Sequence, residues 1–173
     1  AVHGFWTIKT VFPKIEQHDR HARVHVWAGQ MLQIVGIELV VNGTPPVKGP
    51  VLLVANHISW LDILVMHATR HCRFVSKSDI KKWPFVATLA DGGGTMYLER
   101  ESRRDAHRVV AQMAERLRAG DILAVFPEGT TGDGITLKPF HANLIQAAIE
   151  AQVPAQPVAL KFIDAASGEP SFA

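Results

Sequence analysis

Apolar residues in the first third of the chain recur every three or four positions. Val24, Trp27, Ala28, Met31, Ile34 and Val35 follow a polar, basic stretch from 16 to 23, which is the spacing of an amphipathic helix. Pro13 separates that helix from a shorter apolar segment over 5–12, and Gly36 supplies a stop signal. Such a helix either lids the core or lies at a membrane surface. Phe5, Trp6, Ile8, Val11 and Phe12 beside Lys9 and Lys14 suit the second use, because aromatic rings favour the headgroup region and lysines favour anionic lipid.

From Ile37 onward, short apolar runs alternate with helical stretches, as in a sheet covered by helices. The pattern predicts strands over 38–41, 51–55, 73–76, 95–98, 122–126 and 156–162, and helices over 60–69, 103–118 and 143–151. Asn42-Gly43-Thr44-Pro45-Pro46 separates the first two strands because it cannot continue a ladder. In the 103–118 helix, Val109, Val110, Met113, Ala114 and Leu117 form the inward stripe, and Gly120 ends it. The chain therefore reads as an N-terminal amphipathic helical segment over 1–36, followed over 37–173 by an α/β domain with a mixed, mostly parallel sheet.

Composition narrows this picture. At 173 residues and 47% hydrophobic content the chain has material for one sizeable core. Eighteen Lys and Arg against 16 Asp and Glu leave a net charge of +2, too balanced for a protein that wraps nucleic acid. The single cysteine, Cys72, excludes an intramolecular disulfide and a thiolate zinc cage. The apolar runs fall short of the roughly 20 residues a spanning helix needs. His18, His21 and His25 share a helix face, yet no His-Glu-x-x-His pattern accompanies them, so no metal is expected. A titratable basic face at a membrane surface is the other use for that trio. Neither a P-loop nor a dinucleotide-binding glycine pattern occurs.

Chemistry in open α/β sheets gathers at strand ends. His57 follows the 51–55 strand directly, and Asp62 stands five positions later at a helix start. Five residues do not share a regular helix face, which needs three or four, but a tight turn would let them meet. The carboxylate would then accept one imidazole N–H and leave the other nitrogen as a general base.

The run Asn56-His57-Ile58-Ser59-Trp60-Leu61-Asp62 resembles the N-H-x-S-x-x-D block of the PlsC-type glycerolipid acyltransferase family, that of 1-acyl-sn-glycerol-3-phosphate (lysophosphatidic acid) acyltransferase. Three further blocks follow in that family's order. Gly94-Thr95-Met96-Tyr97-Leu98-Glu99-Arg100 resembles G-x-x-F-I-x-R, with Tyr97 and Leu98 replacing Phe and Ile. Phe126-Pro127-Glu128-Gly129-Thr130 matches F-P-E-G-T, and 153–158 resembles a proline-bearing strand entry. The resemblance runs from about Leu39 to Phe162.

The resemblance implies a glycerol-3-phosphate acyltransferase-like fold and O-acyl transfer from acyl-CoA or acyl carrier protein to a lysophospholipid hydroxyl. No cofactor is needed beyond that co-substrate. It implies lysophosphatidic acid as acceptor, phosphatidic acid as product, and work at a membrane, on the cytoplasmic face of the inner membrane if the source is bacterial. His57 and Asp62 would be the catalytic dyad, without an acyl-enzyme. Arg100 would hold the acceptor's phosphate, since a guanidinium fork fits it. Glu128, Gly129, Thr130, Gly94, Asn56 and Ser59 complete the expected substrate site. For Ser59 a turn-stabilising hydroxyl is favoured over a nucleophile, because no Gly-x-Ser-x-Gly elbow surrounds it. The Gly92-Gly93-Gly94 run would allow close backbone approach to a ligand.

Glu128 is an awkward neighbour for an anion, easier to understand if it accepts from a glycerol hydroxyl or orders nearby cations. Thr131 stands where many family members carry Arg, which opens another lysolipid, such as lyso-ornithine lipid, as acceptor; Lys138 or Lys77 could compensate. A catalytically silent membrane lipid-binding module and a thioesterase are the remaining alternatives.

Overall fold

The computed structural model describes residues 2–98 and 103–171. Helices α1 (Val2–Thr10) and α2 (Gln17–Ile34) come first, joined through a 3₁₀ turn at Phe12–Lys14. Then follow β1 (Val51–Ala55), α3 (Leu61–Thr69), β2 (Arg73–Lys77), a 3₁₀ turn at Ser78–Lys82, α4 (Pro84–Gly92), β3 (Met96–Leu98), α5 (Arg103–Arg118), β4 (Ile122–Val125), α6 (Ala142–Ala151) and β5 (Ala155–Val158). The five strands lie in the order β3-β2-β4-β1-β5. The four strand pairs among the described residues are parallel, in keeping with the mostly parallel sheet expected.

Strands β1 and β4 are apolar on both faces because helices cover both. Leu52, Leu123 and Val125 point toward α5 and α6, meeting Val110, Met113, Leu117 and Ala147. Alternate residues Val51, Leu53, Ala55, Ile122 and Ala124 point the other way, onto Met66, Cys72 and Phe74, which is the two-residue period of a strand. Beyond α3 lies another layer. Ala28 and Leu32 of α2 bury against Leu61 and Leu64 of α3, so this helix does lid the core. Its buried stripe is Val24, Ala28 and Leu32, while Ile34 is 76% exposed. The apolar stripe drawn from the sequence therefore runs off the packed face at its C-terminal end.

Two elements differ from expectation. Residues 38–41 form no strand. Leu39 joins the α2–α3 cluster and Val40 and Val41 are exposed, because this segment carries the chain from the outer helical layer back to the middle of the sheet. Residues 84–92, in contrast, form the unpredicted helix α4, begun by Pro84 in the first turn, where its missing N–H costs nothing. The glycines after it form its exit. Gly94 has φ +75°, with its N–H bonded to Asp91 O at 2.9 Å and that of Thr95 to Ala90 O at 3.0 Å, the two bonds of a Schellman motif.

Candidate active site

β1 and β4 are neighbours, paired through Val54↔Val125, so the loops that leave their C-terminal ends emerge side by side. The loop after β1 carries His57 and the loop after β4 carries Glu128. His57 Nδ1 lies 2.7 Å from Asp62 Oδ2, and that same oxygen accepts the main-chain N–H of Ile58 at 2.6 Å and of Ser59 at 3.0 Å. The three bonds close the turn that a five-residue separation requires. Ser59 Oγ accepts the N–H of Leu61 at 3.3 Å, which secures the first turn of α3. Asp62 is fully buried and sits in that first turn, where the helix dipole favours a negative charge.

With Nδ1–H donated to the carboxylate, the neutral ring keeps Nε2 as an acceptor. The imidazole is 17% exposed and stacks on Phe126, centroids 4.0 Å apart. Both rings line a cavity of about 1290 Å³ whose walls include Ile8, Phe12, Trp27, Leu64 and Leu89. Phe126, the first residue past β4, is a site residue to which the sequence assigned no role; its position ahead of Pro127 and Glu128 was the available signal.

The other expected residues divide. Glu128 is 6% exposed; its Oε1 accepts the His57 N–H at 2.8 Å and its Oε2 that of Lys138 at 2.9 Å. Gly129 adopts φ +71° in the turn that follows, and Thr130 is exposed beyond it. Asn56 turns away from the cavity: its side-chain amide donates to Leu160 O at 3.0 Å and accepts from Leu160 N at 2.7 Å. Gly94 lies at the opposite end of the sheet. Register sets it level with Arg73 and Leu52, five residues, or ~16 Å, below His57. There Arg73 Nη1 donates to Gly94 O at 3.3 Å, and a Cβ on Gly94 would come within 2.5 Å of that guanidinium. The glycine run thus forms a helix exit and a close packing contact, while Gly92 and Gly93 line the same cavity as His57. Arg100 falls outside the described residues, and Lys138 Nζ donates to Thr131 O at 2.5 Å. No group of three or more His, Cys, Asp or Glu suited to a metal occurs among the described residues.

A parallel α/β domain thus carries a carboxylate-bound histidine at a strand end, with the imidazole facing an apolar cavity. The model of the acyltransferase family matches residues 19–161, and the chain belongs to that family. It is 38% identical over 136 residues to the lyso-ornithine lipid O-acyltransferase of Pseudomonas aeruginosa, covering 79% of this chain and 52% of the relative. It is also 38% identical over 144 residues to the 1-acyl-sn-glycerol-3-phosphate acyltransferase of Neisseria gonorrhoeae, covering 80% and 55%. The chain thus spans about half the length of these curated relatives. The crystal structure of the 1-acyl-sn-glycerophosphate (LPA) acyltransferase PlsC from Thermotoga maritima shares the fold, with a TM-score of 0.67 at 22% identity, covering 88% of this chain and 69% of that one.

Proposed function

We propose that this protein transfers a fatty acyl group from an acyl thioester, acyl-CoA or acyl carrier protein, to the free hydroxyl of lysophosphatidic acid, forming phosphatidic acid. The observation that carries this reading is the His57–Asp62 pair placed on the wall of the apolar cavity. Nε2 of His57 takes the proton of the acceptor hydroxyl, and the oxygen attacks the thioester carbonyl. The C–S bond then breaks and the departing thiolate recovers the proton from the imidazolium, which Asp62 stabilises meanwhile. The thioester is already activated, so no acyl-enzyme is needed. The cavity exceeds the ~300–1,000 Å³ of ordinary ligand pockets, which suits a long acyl chain. Arg100 is assigned to the acceptor's phosphate, and Arg100→Ala should raise the acceptor KM about tenfold or more.

The membrane is the source of the acceptor. No described helix is long and apolar enough to cross a bilayer. Trp6 on α1 and Trp83, Phe85 and Val86 at the start of α4 are nonetheless exposed, and α1 packs on α4 with Phe5 stacked on Phe85. Such a surface suits interfacial seating, and flotation with anionic vesicles tests it.

A lyso-ornithine lipid acceptor is the second reading, favoured by Thr131, which offers no cationic side chain after the Phe126–Thr130 block. Presenting both lysolipids with a radiolabelled acyl donor to one preparation separates the two. Absence of labelled product with either acceptor would refute the proposed activity.

A further inference from the structure

The parallel ladder around β1 ends at Val54↔Val125 on one side and Ala55↔Val158 on the other. Hydrogen bonding does not end there, because two side chains continue it. On the β5 side, Asn56 makes both of its bonds to the main chain of Leu160, imitating another strand pair. On the β4 side, the Glu128 carboxylate bridges the main chains of His57 and Lys138, one oxygen to each N–H.

The same loop also takes the other main-chain group of His57, whose C=O accepts the N–H of Gly132 at 2.7 Å. His57 is therefore held at three points: N–H by Glu128, C=O by Gly132 and ring by Asp62. A general base must sit within a fraction of an ångström of its productive position, and that requires support from its surroundings.

We infer that Glu128 is a positioning residue for His57 rather than a ligand of the acceptor. Each of its oxygens is directed at a main-chain donor, and the carboxylate is almost wholly buried. A negative charge beside an anionic acceptor is unfavourable, but one that receives two main-chain N–H bonds is well placed. The bridge also explains why residue 128 needs an acid of glutamate's length: it must reach two segments at once. Asp, one methylene shorter, cannot span both. Gln keeps the length but turns an NH₂ toward one of the two N–H donors.

The kinetic part of the test rests on the acyl transfer proposed above. Glu128→Gln and Glu128→Asp should each lower kcat about 10- to 100-fold while acceptor KM moves less than about threefold. A tenfold or greater rise in acceptor KM with kcat retained in either variant would overturn the inference, and so would wild-type kcat in Glu128→Asp. The second arm is independent of turnover. Hydrogen exchange of the wild-type and variant proteins should show faster exchange at 56–62 and 136–140 in the variants, with β1 and β4 protected as before. Unchanged exchange at 56–62 would overturn the positioning role even if no acyl acceptor were found, so this arm fails separately from the proposed function. Should Glu128→Gln not fold, Glu128→Asp carries both measurements.

Discussion

One histidine stands at the C-terminal end of this sheet and three cluster toward the other, and they differ in their partners. At the C-terminal end His57 has a buried carboxylate on its ring and a cavity in front of it. At the N-terminal end a cleft of about 560 Å³ holds His21 and His71 among Lys48, Arg70 and Arg73, and His67 stands between this cleft and the cavity that His57 lines. The sets terminate one row of rings: His57 on Phe126, then Phe74, His67, His71 and His21, at centroid spacings of 4.0, 5.5, 5.1, 5.3 and 3.8 Å. At the lower end His67 Nδ1 and His71 Nε2 are buried without a hydrogen-bond partner. The nearby carboxylate, Asp121, is taken by Arg73 at 3.0 Å and Arg116 at 2.7 Å. Burial, reinforced by neighbouring histidines, pushes His67 down to about 4 and His71 to about 3. An imidazole at a strand end is thus not a base by location alone. In the proposed reaction, the carboxylate that holds one nitrogen of His57 is what separates it from these rings.

The largest test of this contrast is to exchange partners at the upper end. His57→Ala should remove about 10²- to 10⁴-fold of the acyl-transfer rate, and Asp62→Asn about as much, read as kcat/KM. The Asn variant should also lose about 1–3 kcal/mol of stability, because a neutral amide oxygen holds the three donors less strongly than a carboxylate and the NH₂ falls where Asp62 Oδ1 is buried without a partner. Full activity in Asp62→Asn would end the claim that the carboxylate sets His57 apart.

The lower end predicts an effect on stability instead. His67 titrates lower when folded than its ordinary 6.5, so above pH 6.5 it is neutral in both states and costs nothing. As pH falls from 6.5 toward 4 the unfolded chain takes up a proton that the folded chain refuses, and stability declines. At ~1.4 kcal/mol per pH unit, full protonation against that burial amounts to at most ~3.5 kcal/mol for His67. Urea melts at pH 7.5, 5.5 and 4.5 should show this loss together with that of His71, and His67→Leu should remove only the His67 share, leaving a shallower slope, while preserving the pH 7.5 value to within about 1.5 kcal/mol.

What could be read from the sequence follows the range of the interactions concerned. Val51–Ala55 and Ile122–Val125 are short apolar runs buried on both faces, and Val109 to Leu117 repeats at helical spacing; both are local patterns. The His57–Asp62 turn closes within six residues, so the block that carries it could be recognised whole. Residues 38–41 look locally like a strand, but no local pattern reveals whether a sheet edge is available. The Gly92–Gly94 run reads as a place for close backbone approach because it lacks side chains; that it also closes α4 depends on a helix the local pattern does not show. Glu128 is assigned to the acceptor by the family resemblance and against its charge, whereas its partners, the main-chain N–H groups of His57 and Lys138, meet it only after β1 and β4 have paired.

The smallest prediction concerns the outermost ring of the row. His21 is partly exposed and stacks on His71 at 3.8 Å; desolvation and the nearby Arg73 lower its own titration. His21→Ala removes the stack, worth about 0.5–1 kcal/mol, and also removes a neighbour that helps keep His71 neutral. The two consequences oppose each other below pH 6.5, where relief for His71 offsets the lost contact. Stability should therefore fall by up to ~1 kcal/mol at pH 7.5 and by less at pH 5, with kcat/KM within twofold of wild type at neutral pH. A large loss of activity would mean that the row of rings transmits more than packing, and that the two ends are not the separate environments their hydrogen bonds make them.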